Sequence, residues 1–198
     1  MTSKLIVNSI RHTGASSDAI TMDASGNVTF PANATCSGTA TGFGVFEADQ
    51  WRVTSSFAAS GAGAYITSNW ERNDSTGFSK LGTGLSESSG VFSFPTTGIY
   101  QIDATLMSKN DSNTNRYTEC QIYFTVNNSA YVEQTSASGG IGAQYGHNTF
   151  RASAIVDVTD ITQCKFKIRQ YTYNSNTTIV GSSSANASYI VVKRLGDT

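Results

Sequence analysis

The chain has 198 residues, a net charge of −1 and only 14% charged side chains, against about 25% in a typical domain. Ser, Thr and Asn supply 66 residues and Ile plus Val 25, whereas Leu supplies 5. Near-neutral charge argues against an electrostatic nucleic-acid binder, the β-branched bias rules out a helical bundle, and no apolar run approaches the ~20 residues that span a bilayer.

Residues 1–45 read as an attachment segment. The opening Met1-Thr2-Ser3-Lys4-Leu5-Ile6-Val7 meets Asn8 and Ser9 too soon for a signal-peptide hydrophobic region, which argues against secretory export. Leu5 to Ile10 forms one strand-like piece. Ala19 to Met22 and Val28 to Phe30 then flank Asp23-Ala24-Ser25-Gly26-Asn27, a hairpin loop with glycine where positive φ is expected. Pro31 ends that hairpin, and Ser37 to Gly44 is a small-residue linker. So few apolar side chains cannot close a core, so the segment is expected to pack on its own copies or on a different partner.

Residues 46–198 carry a strong period of two. Trp51, Val53 and Phe57 share one phase, as do Phe92 and Phe94 before the turn Pro95-Thr96-Thr97-Gly98. Tyr100, Ile102, Ala104 and Leu106 alternate with Gln101, Asp103 and Thr105. Cys120, Ile122, Phe124 and Val126 alternate with Glu119, Gln121, Tyr123 and Thr125. Phe150, Ala152, Ala154, Val156 and Val158 make another inward row, and Cys164, Phe166 and Ile168 face in while Lys165, Lys167 and Arg169 face out. Tyr189 to Leu195 reads as a strand buried on both faces. The polar clusters Lys109 to Asn115, Ser136 to Gly142, Tyr173 to Asn176 and Gly181 to Asn186 read as separators. About eight antiparallel strands in this length predict an all-β sandwich of jelly-roll topology, preceded by the short hairpin segment. Cys120 and Cys164 are expected as reduced core thiols and Cys36 as a free thiol in the linker.

The run Gly90-Val91-Phe92-Ser93-Phe94-Pro95-Thr96-Thr97-Gly98-Ile99-Tyr100 resembles the central signature of the complement globular-head and tumour-necrosis-factor-like jelly roll. There a Gly-x-Phe strand meets a tight turn and a Gly-x-Tyr strand returns through the middle of a sheet. The order of the C-terminal strands, Phe150 to Val158, Ile161 to Tyr171 and Ala187 to Leu195, is similar as well, so the resemblance covers about residues 46–196. It implies a homotrimer packed about an axis through aromatic and aliphatic faces. The opening Lys4-Leu5-Ile6-Val7-Asn8-Ser9-Ile10, with Ala19 to Phe30, resembles the start of bacteriophage tail fibres and related appendage proteins, especially marine ones. Together these imply a virion protein without an export signal. Residues 1–45 would join it to other virion proteins, and the jelly roll would meet the host surface. A capsid-decorating trimer and a secreted carbohydrate-binding module are the competing expectations.

Chemistry for catalysis is sparse. His12 and His147 have no acid, Cys or second His at metal-ligand spacing, no nucleophile elbow or nucleotide loop is visible, and no metal or cofactor is expected. Asp157 and Asp160 bracket a turn and read as an Asx-turn closing a hairpin. The candidates for binding are aromatics beside polar groups, which suit a sugar ring: Trp70 with Arg72, Tyr145 with His147, and Tyr171 with Tyr173. The alternative for Trp70 and Tyr145 is packing at a subunit interface. The row Lys165, Lys167 and Arg169 either faces an anionic surface polysaccharide or pairs with acids such as Glu119 and Asp103 on neighbouring strands.

Overall fold

The computed structural model describes residues 7–11, 13–30, 45–111, 115–173 and 176–198. His12, Pro31, Cys36, the Ser37–Gly44 linker and the start of the Leu5–Ile10 piece fall outside these residues. The chain divides into two units, residues 1–43 and 44–198.

In the first unit, β1 (Ser9–Ile10), β2 (Ile20–Met22) and β3 (Val28–Thr29) form a three-stranded antiparallel sheet in that order. The β2–β3 turn is stapled by one carboxylate: Asp23 accepts from the amides of Ser25 and Asn27, each at 2.9 Å, while Gly26 takes φ 84°. These bonds hold the Asp23 carboxyl below its ordinary value, that from the Asn27 side chain most of all. No described residue between 7 and 30 is buried, and Ile10, Val28 and Phe30 stand about half exposed.

The second unit contains β4 (Ala48–Val53), β5 (Ser55–Ala58), β6 (Ala64–Tyr65), β7 (Trp70–Arg72), β8 (Ser86–Ser88), β9 (Val91–Ser93), β10 (Gly98–Asn110), β11 (Asn115–Thr125), β12 (Val132–Ile141), β13 (His147–Val158), β14 (Lys165–Thr172), β15 (Thr177–Ser182) and β16 (Tyr189–Gly196). Two antiparallel sheets enclose one core. In the seven-stranded sheet, β10 is central: β13 pairs along one edge, while β16 and then β15 share the other. β4 and β7 extend it beyond β16, and β5 beyond β15. The six-stranded sheet runs β12-β11-β14-β9-β8, with β6 also on β14. This is a jelly-roll sandwich.

The core is an aromatic spine between the sheets. Phe92 stacks on Phe166 at 4.9 Å and meets the edges of Trp51 and Trp70 at 5.8 and 5.2 Å, while Phe94 packs on Tyr100 at 4.7 Å. Tyr100 is fully buried, and its hydroxyl donates to the Thr96 carbonyl at 3.0 Å, so the ring's polar end is satisfied within the turn. Two glycines make the turns on either side of β9 possible, Gly90 before it and Gly98 after it. A Cβ on Gly90 (φ 78°) would lie 2.2 Å from the Ile66 carbonyl, and one on Gly98 (φ 141°) would lie 2.4 Å from the Arg194 Nε. The Gly-x-Phe and Gly-x-Tyr spacings therefore record close backbone approaches. Cys120 and Cys164 are buried free thiols, and burial pushes Cys120 up to about 12.

Several expectations change. Ser136–Gly142 lies mainly in β12, an edge strand whose outer face is exposed and whose inner face carries the small residues Thr135, Ala137 and Gly139, so no apolar alternation marks it. β15 is likewise a strand built from Thr, Gly and Ser around the one buried aliphatic Ile179. β16 is buried on one face only. Ile190 and Val192 face the core, whereas Lys193 is exposed and Leu195 is 47% exposed. Val126 falls beyond the end of β11 and is exposed. Asp160 does close an Asx turn, accepting from the Thr162 amide and hydroxyl at 2.7 Å each.

Candidate functional site

The polar face of the six-stranded sheet gathers a row of half-buried tyrosine rings and the exposed Tyr173. Successive outward positions on β14 are Lys165, Lys167, Arg169 and Tyr171. The β11 residues opposite them are Thr125, Tyr123, Gln121 and Glu119. Directly opposed residues of an antiparallel pair share a face, so these two rows form one stripe, continued by Tyr117 on β11 and by Tyr173 just past the end of β14.

At one end of the stripe the tyrosines make a platform. Tyr117 stacks on Tyr171 at 5.7 Å with 23° between planes, Tyr173 leans on Tyr117 at 5.7 Å, and the Arg116 guanidinium lies 4.6 Å over the Tyr173 ring. The hydrogen bond with Tyr171 pushes the Tyr117 phenol above its ordinary value, with burial adding to it. The middle is amide and cation: Gln121 donates to Glu119 at 2.7 Å, and Arg169 donates to the Gln121 side chain at 2.6 Å and to the Ala62 carbonyl at 2.9 Å. At the other end Tyr65 meets Tyr123 edge-on at 5.4 Å. The Lys167 ammonium sits 4.0 Å from the Tyr131 centroid and 5.0 Å from that of Tyr65. Burial raises the phenols of Tyr123 and Tyr131, and Tyr123 also donates to Glu133 at 3.0 Å. Flat rings alternating with cations and amides offer stacking faces and hydrogen-bonding edges, the two contacts a pyranose makes.

The sequence candidates separate into three places. Tyr171 and Tyr173 lie in the platform, joined by Tyr117 and Arg116, whose proximity depends on cross-strand register and has no local signal. Trp70 and Arg72 are held in a clasp that closes β7 onto β4. The Trp70 indole N–H donates to the Ile66 carbonyl at 2.9 Å and its ring packs on Phe92. Arg72 stacks 4.7 Å over Trp51, donates from Nε to both oxygens of buried Asp49 at 3.1 Å, and also bonds the Leu85 carbonyl. A guanidinium and an indole committed this way have few groups left for a ligand. Tyr145 occupies the turn between β12 and β13, and His147 opens β13. Tyr145 is 61% exposed at φ 59°, with the Lys109 ammonium 5.5 Å from its ring, and His147 is exposed beside Lys109 in the β10–β13 register.

Among the described residues, the Lys165, Lys167 and Arg169 row forms no ion pair with an acid. Asp103 lies on the other sheet, bound to Arg151 at 3.0 Å and to Gln101 at 3.1 Å. On the six-stranded sheet, Lys167 is seated on rings and Arg169 on an amide and a carbonyl. The clasp has its own buried cation as well: Arg52 is 1% exposed and bonds Glu71, Asp74, Asn73 and Ser75. Among the described residues no three His, Cys, Asp or Glu side chains are grouped to hold a metal.

No family model matches the chain, and a search of curated proteins returned no match. Solved structures do match. Murine APRIL at pH 5.0 superposes with a TM-score of 0.55 at 9% identity over 75% of this chain and 98% of that one. Eiger TNF from S. frugiperda superposes with a TM-score of 0.55 at 11% identity over 78% and 95%. At this identity the likeness establishes the fold, a tumour-necrosis-factor-like jelly roll.

Proposed function

We propose that the chain is a non-enzymatic structural protein of a bacteriophage virion, a homotrimeric surface appendage of the tail-fibre or tail-adhesin kind. Residues 1–45 attach it to other virion proteins, and the jelly roll meets the host surface. The observation that carries the trimer is the outward face of the seven-stranded sheet. There Ile155 is 66% exposed on β13, with the half-covered Ile99 diagonal to it on β10 and the half-covered Val191 two strands away on β16, while Asp103 and Thr105 of the same face are already buried. Uncovered aliphatic side chains on a sheet face suit it to meeting a copy of itself, with exposed Lys193 and the Asp103–Arg151 pair on the same face as its polar contacts. The resemblance to trimeric jelly rolls supports the same reading. For the attachment role, the support is a leading unit in which no described residue is buried, so its side chains need a cover from elsewhere. For surface contact, the support is the tyrosine platform on the opposite sheet, which stays free if the seven-stranded sheet lies at the axis. Three linked platforms raise a weak sugar contact to useful avidity.

Light scattering on the purified chain at micromolar concentration tests the trimer, and a stable folded monomer would refute it. Antibody labelling of intact particles tests the rest. Label on tails supports the adhesin, label on heads replaces it with capsid decoration, and unlabelled particles refute the virion assignment.

A further inference from the structure

At the start of β14 the outward stripe descends into a groove of about 530 Å³, within the range of ~300–1,000 Å³ usual for ligand sites. Its floor is Lys165 and Lys167. Its walls are Ser86 and Ser93 on the β8–β9 side and Asn128 and Tyr131 on the β11–β12 side. We propose that this groove binds a saccharide bearing a carboxylate, such as a uronic-acid unit of a surface polysaccharide. The inference deepens the host-surface reading above by naming the ligand class.

The groove holds two ammonium groups against one carboxylate, so its net charge is positive. Lys165 and Lys167 are two positions apart on one strand, about 6.6 Å along it, and project to the same side. Neither forms an ion pair among the described residues. Glu87, the acid on the wall, is engaged elsewhere: one of its oxygens accepts from the Gly90 amide at 2.6 Å. Lys167 is moreover held in position without being neutralised. Its ammonium rests 4.0 Å from the Tyr131 ring and 5.0 Å from Tyr65, a seat that orients the cation while leaving N–H donors to be claimed. A carboxylate supplies the acceptors those donors lack.

The walls select a sugar over a bare anion. Four serine hydroxyls and the Asn128 amide line the groove. These neutral groups both donate and accept, as sugar hydroxyls do. Tyr131 adds an aromatic surface for the apolar side of a ring. A site built for inorganic phosphate alone would instead present an arginine fork or a nest of backbone amides.

The test is calorimetric titration of the full chain with trigalacturonate and with its methyl ester, which keeps the ring and hydroxyls and removes the charge. The acid is expected to bind at least tenfold more tightly than the ester. K165Q and the double variant K165Q/K167Q are each expected to weaken the acid at least tenfold with unchanged melting temperature. K165Q keeps the test decisive if loss of the Lys167–tyrosine seat unfolds the double variant. Equal binding of acid and ester, no binding of either, or full retention of affinity in K165Q overturns the proposal. So does inorganic phosphate binding as tightly as the sugar, which would make the groove a general anion site. Light scattering on the same samples separates the two readings. A trimer that ignores galacturonate refutes the groove alone, whereas a monomer that binds it refutes the trimeric appendage and leaves the groove standing.

Discussion

Ile155→Glu separates folding from assembly, because the side chain is 66% exposed in the single chain and sits on the outward face of β13. Complete burial of an isoleucine side chain is worth about 1.5–3 kcal/mol. Two-thirds of that remains to be gained on association, about 1–2 kcal/mol per protomer and about 3–6 kcal/mol for a closed trimer. The variant forfeits this gain and brings three carboxylates toward one axis, where desolvation and like-charge repulsion add to the loss. Within the protomer the same substitution lies on an exposed strand position and should shift stability by no more than about 0.5 kcal/mol. The expected result in light scattering is a fall from three chains to one at a concentration where the parent is trimeric, with near-unchanged far-UV dichroism. Ile155→Val, which keeps most of the apolar area, should remain trimeric. If Ile155→Glu stays trimeric with the parent's concentration dependence, this face is not the contact and the argument from its uncovered aliphatics fails.

Gly90→Ala should lower the unfolding midpoint substantially. The left-handed backbone alone costs about 1–2 kcal/mol for a residue with a Cβ, and that Cβ would overlap the Ile66 carbonyl, so a loss below 1 kcal/mol in urea melts would contradict the described turn. Asp103 makes a pH prediction. Burial raises its carboxyl, but hydrogen bonds from Ser153, Arg151 and Gln101 outweigh this and leave it below the ordinary value near 3.8. A lowered folded-state value gives stability that is present in full at neutral pH and is withdrawn as pH falls below about 4. The difference between parent and Asp103→Asn in urea melts should therefore be largest at pH 7 and shrink at pH 3, and a difference independent of pH would refute the assignment. Cys120, its thiol pushed up to about 12 by burial, should ignore Ellman's reagent at pH 8 until the chain unfolds, whereas rapid labelling of the native chain would place it at the surface.

What could be read in advance follows from which faces are covered. β10, β13 and β14 show a clear period of two because one side of each meets the core, and their inward rows are where the alternation put them. β12 and β15 carry little local signal because Ser, Thr and Gly form a ladder through their backbones, β12 at the border of its sheet and β15 between β5 and β10, with few apolar side chains to mark the period. The continuous apolar run of β16 misled in an informative way. Its second face holds Val191, half-buried, and Leu195, exposed, so the apolar pattern runs further than the burial seen among the described residues.

The site was half legible by the same logic. Tyr171 at the end of β14 and Tyr173 just beyond it are two positions apart, so a local pattern exposes them. Tyr117, Tyr65 and Tyr131 join their rings only through the register of β11, β6 and the β11–β12 turn against β14, which no window of sequence contains. Trp70 and Arg72 show the opposite hazard, since an aromatic beside an arginine reads as a sugar contact until the partner is known. Here Asp49, more than twenty residues upstream, claims the guanidinium, and the Ile66 carbonyl claims the indole. The lysines of β14 differ in kind, because no carboxylate among the described residues reaches them and rings hold one in place. A cation oriented without being neutralised is open to an anion from outside the chain, and this gives the groove a stronger claim to a ligand than the clasp.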